Sequence, residues 1–93
     1  MAITRIQLRR ERKALGVRLE TLGPLCRVDP STLSRIETGA VRVGKGIMAR
    51  IERVLEDIGR VRASYPGMPI EIMRNTLWLE REIRKLQPPE PRG

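Results

Sequence analysis

The chain has 93 residues, with 19 Lys and Arg against 11 Asp and Glu for a formal net charge of +8. That length suits one small domain plus an appendage. Such an excess of cations favours a polyanionic partner, although a merely solvated basic surface would have the same composition. With two aromatics and no Phe, an RNA-recognition sheet or a base-stacking platform for single strands is not expected; the lack of His excludes a zinc finger, and a single Cys excludes an internal disulfide.

The charge is unevenly placed: residues 1–65 hold 14 basic and 7 acidic side chains, residues 66–93 hold 5 and 4. No apolar run approaches membrane-spanning length, and Met1-Ala2-Ile3-Thr4-Arg5 has no signal-peptide pattern, so a cytoplasmic location is expected.

In chain order, Thr4 and Gln7 have the spacing of a capping box, predicting a helix to about Leu15 that Gly16 closes. A second helix is predicted from Leu19 to Cys26, with Glu20 complementing the dipole and Pro24 kinking or delaying it. Cys26, beside Leu22 and Leu25, reads as a small buried filler and not a reactive thiol. Asp29 before Pro30 is a strong start for a third helix, which Gly39 ends after Thr38. Leu33 and Ile36 point to a core, while Ser31 and Arg35, four apart, share the outer face.

After a loop rich in Gly and Val, the residues Ile47, Met48, Ile51, Val54, Leu55 and Ile58 recur at helical spacing, and Gly59 is expected to end the run. Residues 1–59 thus form the predicted domain. Residues 60–69, with Pro66, Gly67 and Pro69, form a connecting loop.

A fifth helix is predicted over roughly Glu71 to Leu86, within a carboxy-terminal segment 70–87. Ile72, Thr76, Leu79, Ile83 and Leu86 make a heptad-like stripe, widened by Met73 and Leu77 and with Trp78 at its margin. Such a stripe either packs on its own domain or contacts a second copy or a partner protein. Residues 88–93 have no periodicity and are expected to be disordered.

The order of these pieces carries a resemblance. Arg12 four before Gly16, Leu22-Gly23 in the second helix, and Leu33-x-x-Ile36-Glu37-x-Gly39 are weak singly but specific in sequence and spacing. Over about residues 5–58 the chain resembles the phage Cro and lambda-repressor-like (XRE) helix-turn-helix domains. The resemblance implies an all-α fold, a compact four-helix DNA-binding domain, with an additional carboxy-terminal helix here.

It also implies that the third helix enters the major groove of duplex DNA. Base contacts would come from Pro30, Ser31, Thr32 and Arg35. Backbone contacts would come from Ser34, Thr38, Arg42, Lys45 and Arg27. Arg12 and Glu37 would form a structural bridge away from the DNA. Arg35 is the best specificity candidate, because a guanidinium pairs bidentately with guanine O6 and N7. Ser31 can reach a base or a phosphate, or support the helix start. Three positions depart from the family pattern: Leu19 stands where glutamine is frequent, Arg27 where the turn usually has glycine, and Pro30 at a common polar base-reading position.

Three functions compete at this stage. The leading one is a DNA-binding transcriptional regulator, a repressor acting as a homodimer on a pseudo-palindromic operator. The second is an antitoxin-type protein whose last helix grips a partner while the amino-terminal domain autoregulates its operon. The third, a basic membrane-surface protein, is opposed by Glu71, Glu80 and Glu82 among the basic residues of the last helix. No metal, cofactor or enzymatic activity is expected, since no spacing supplies paired acid and base, a metal cage or a phosphate loop. Removal of residues 66–93 is expected to leave a folded, weakly binding monomer.

Overall fold

A computed structural model describes residues 3–86, all helical or irregular, with no strand among them. The helices are α1 (Arg5–Leu15), α2 (Leu19–Cys26), α3 (Pro30–Thr38), α4 (Lys45–Ser64) and α5 (Thr76–Leu86), with a single 3-10 segment at Ile70–Arg74. The all-α fold expected from the sequence is the one observed. Its local signals act as read: the Thr4 hydroxyl accepts from the Gln7 amide while the Gln7 side chain accepts from the Thr4 amide. Gly16 takes the left-handed conformation that ends α1.

Packing joins α2 to α3, α1 to both α3 and α4, and α5 to both α2 and α4. The core between them is aliphatic: Leu8, Leu22, Leu33, Ile51, Leu55, Ile58, Met73 and Leu79 are all fully buried. Cys26 is buried with them, and burial pushes its thiol up to about 12. Pro24 does not delay α2, which starts at Leu19 and runs on to Cys26 with Pro24 on its exposed side.

Two boundaries differ from the sequence reading. Helix α4 passes through Gly59 and continues to Ser64. A glycine inside a helix costs about 1 kcal/mol relative to Ala. Burial of Val61 and an Arg62 Nη1 hydrogen bond to the Ala14 carbonyl at 2.9 Å offset it. The connection to the next element is correspondingly short.

The predicted fifth helix is divided in two. Asn75 separates the 3-10 segment from α5, and its side-chain oxygen accepts from the Trp78 amide at 3.0 Å, as a helix cap does. The heptad-like stripe is therefore not one continuous surface. Leu79 and Ile83 are buried against the chain's own core, as is Met73. Ile72 and Thr76 are half-buried, and Leu86 and the flanking Leu77 are exposed. As contacts for a second copy, Leu79 and Ile83 are corrected to core residues. Residues 87–93, which include the expected tail, lie outside the described part.

The turn after α4 is clipped to α5. The Tyr65 hydroxyl donates to Glu82 Oε1, and Lys85 Nζ lies 2.7 Å from Glu82 Oε2. The Lys85 and Tyr65 hydrogen bonds hold the Glu82 carboxyl below its ordinary value; the same carboxylate raises Tyr65 and Lys85. Trp78 packs on Tyr65 with ring centroids 5.5 Å apart. Both aromatics thus brace α5 on α4.

Candidate nucleic-acid interface

Helices α2 and α3 and the turn between them form the site. The turn closes α2 with two backbone hydrogen bonds, Val28 to the Gly23 carbonyl at 3.0 Å and Arg27 to the Pro24 carbonyl at 3.4 Å. That pair is the Schellman arrangement, and it requires a left-handed residue at Arg27, where φ is 59°. A residue with a Cβ pays about 1–2 kcal/mol for this conformation. Its side chain is left exposed at the head of α3. Gly23 has the complementary role: a Cβ there would sit 2.6 Å from the Val28 carbonyl oxygen. Only a residue without a side chain lets the turn fold so closely onto α2.

Asp29 caps α3, accepting from the Ser31 amide at 2.9 Å and from the Ser31 hydroxyl at 2.5 Å. These bonds, the hydroxyl first, hold the Asp29 carboxyl below its ordinary value. The Ser31 proton is already committed, so outward the hydroxyl can only accept, which suits an adenine or cytosine amino group. Thr38 is similarly engaged, donating to the Arg35 carbonyl at 3.2 Å. Arg35 is exposed and forms no ion pair among the described residues.

The outer face of α3 therefore presents Ser31, Arg35 and Thr38, with Pro30, Thr32 and Ser34 half-buried at its edges. Leu33 and Ile36 anchor the opposite side in the core. Arg42 and Lys45 are exposed in the loop beyond α3 and at the start of α4. Arg42 lines a groove with Arg5, Thr38 and Val41.

Arg5 was not singled out from the sequence. Its Nη1 donates to the Glu37 carbonyl at 3.3 Å, carrying a cation from the start of α1 to the end of α3. Nothing local to Arg5 announces that contact, which joins residues 32 apart in the chain.

Arg12 and Glu37 form the expected bridge behind this surface. Arg12 Nε donates to Glu37 Oε2 at 2.7 Å and Nη2 to Oε1 at 2.9 Å. The side chains are 11% and 4% exposed. The remaining Arg12 nitrogen, Nη1, donates to the Val17 carbonyl at 3.1 Å, tying the α1–α2 loop to the end of α3.

A family model described as a helix-turn-helix domain matches residues 5–61, from the start of α1 into the last turns of α4. The chain belongs to the helix-turn-helix family. Neither the curated proteins nor the solved structures contain a match to it. The family match supports DNA binding, and it stops before the 3-10 segment and α5. No helix among the described residues is long and apolar enough to cross a membrane.

Proposed function

We propose that this protein is a sequence-specific regulator that binds double-stranded DNA through α3 and represses transcription by occupying a promoter. The observation that carries the reading is Arg35, an exposed guanidinium without an ion-pair partner among the described residues. It stands on the outer face of α3, the helix that follows the turn of the helix-turn-helix domain. The reading assigns no catalytic step. A homodimer on a pseudo-palindromic operator fits it, because one helix-turn-helix unit buries little surface on a half-site. The antitoxin alternative asks the last helix to grip a partner. Burial of Leu79 and Ile83 in the core takes the centre of the apolar stripe away from that role and favours the regulator.

Arg35→Ala is expected to weaken specific binding by about 1–3 kcal/mol and to relax preference at one base pair per half-site. Selection of binding sites from random duplexes with wild type and variant measures this. An unchanged selected motif would remove Arg35 from base reading.

Arg42→Ala and Lys45→Ala should act differently. Each is expected to weaken all duplexes alike and to flatten the dependence of log K on log salt by about one unit. A changed sequence preference at constant salt slope would contradict a phosphate role.

A further inference from the structure

Arg27, Arg50 and Arg53 line one groove between the end of α2, the middle of α4 and α5. All three are exposed, and none forms an ion pair among the described residues. The groove's other charges are engaged: Arg84 lies 2.7 Å from Glu80, and Asp57 lies 3.6 Å from Arg60. Unpaired guanidinium groups converging on one concavity repel each other, and an anion seated among them would relieve that repulsion.

The basic face continues along α4. Gly46, Ala49, Arg50 and Arg53 fall at helical spacing on one side, line a shallow depression and are all exposed. Gly46 and Ala49 are small enough to let a bulky backbone approach the helix. At the groove α5 adds the paired Glu80, and along α4 itself the carboxylates of this side lie past Arg53, at Glu56 and Asp57. Its acid-free end begins beside Lys45, and Arg27 adjoins the Asp29 cap of α3. From Lys45 to Arg53 the helix rises about 12 Å.

We propose that Arg27, Arg50 and Arg53, with Gly46 and Ala49 as the close-approach surface, form a second phosphate track. It grips DNA backbone flanking the stretch that α3 reads. This rests on the DNA-binding reading above and extends it. A second copy of the chain is a poor occupant, since a two-fold pairing of this face would set Arg50 and Arg53 against their own counterparts. Continuity with Lys45 and with the head of α3 favours backbone phosphates over an acidic protein segment.

The test uses the full chain and the duplex that wild type selects from a random pool. Affinity is measured against salt on that duplex with flanks of about one helical turn, and on one trimmed to the selected sequence. For Arg50→Ala/Arg53→Ala the salt slope on the flanked duplex is expected to fall by about two units, with the selected motif unchanged. On the trimmed duplex the variant should match wild type. Arg50→Lys/Arg53→Lys should keep the slope, and Arg84→Ala, whose charge is paired, should leave it unaltered. Circular dichroism checks that each variant is folded.

A wild-type slope for the double alanine variant on flanked DNA would overturn the track, as would an equal deficit on both duplexes. An unchanged DNA slope with lost binding of a polyglutamate peptide would assign the face to an acidic protein partner instead, and overturn it too. Failure of wild type to bind any duplex in a salt-dependent way is a separate result, which defeats the DNA-binding reading itself and the track with it.

Discussion

Deleting residues 66–93 is expected to unfold the chain and not to release the folded monomer that the sequence suggests, because the segment is part of the core. The segment supplies Met73, Leu79 and Ile83 to the core, and α5 packs on both α2 and α4, so its loss would uncover buried apolar surface on those helices. Full burial of one such side chain contributes about 1.5–3 kcal/mol. Three of them approach the whole stability of a small domain, about 5–15 kcal/mol. Polar contacts would also be lost. The buried Thr21 hydroxyl donates to the Arg74 carbonyl at 3.0 Å, and Glu82 with Lys85 clips Tyr65 at the end of α4.

A point variant separates this from general effects of truncation: Leu79→Ala should destabilise the full chain by about 2–5 kcal/mol, read from urea unfolding. A truncated chain that melts cooperatively near the temperature of the intact one would show that α5 is an accessory and not part of the core.

The role of α5 is where the sequence was least legible, and the reason is physical. An apolar repeat of Ile72, Leu79 and Leu86 has the same spacing whether its helix packs on its own chain or on another. Asn75 could equally continue a helix or cap one; its side-chain bond to Trp78 decides for a cap and cuts the repeat. Gly59 was similarly ambiguous. Glycine ends helices when a left-handed turn follows, but here the buried Val61 lies two residues beyond it and keeps the chain helical.

The first three helices were legible because their boundaries are set by neighbours in the chain. Thr4 with Gln7, Asp29 with Pro30, and Gly16 and Gly39 each act within a turn or less. The outward face of α3 followed from Leu33 and Ile36 alone. What did not follow was the hydrogen bonding on that face. Ser31 donates to Asp29 only in a particular side-chain rotamer, which periodicity does not specify. Arg5, Arg50 and Arg53 depend on contacts between elements distant in the chain, so their charges were counted in the net +8 without being placed.

Glu37→Ala is expected to lower stability by about 3–5 kcal/mol, the cost of leaving a largely buried charge without its partner. The carboxylate is 4% exposed and takes two hydrogen bonds from Arg12, at 2.7 and 2.9 Å. Without it the guanidinium, only 11% exposed in the intact protein, keeps the Val17 carbonyl alone as acceptor. At about 4–8 °C per kcal/mol for a domain of this size, the melting temperature should drop by more than about 10 °C. Replacing both residues with methionine should recover much of the loss, because a buried pair exchanged for apolar side chains is often close to neutral. The bridge also ties α1 to the end of α3. Below its melting point Glu37→Ala should therefore weaken binding to all duplexes alike, with the selected motif unchanged. A melt within a degree or two of wild type would show that Arg12 finds another partner and that the orientation of α3 does not depend on this bridge.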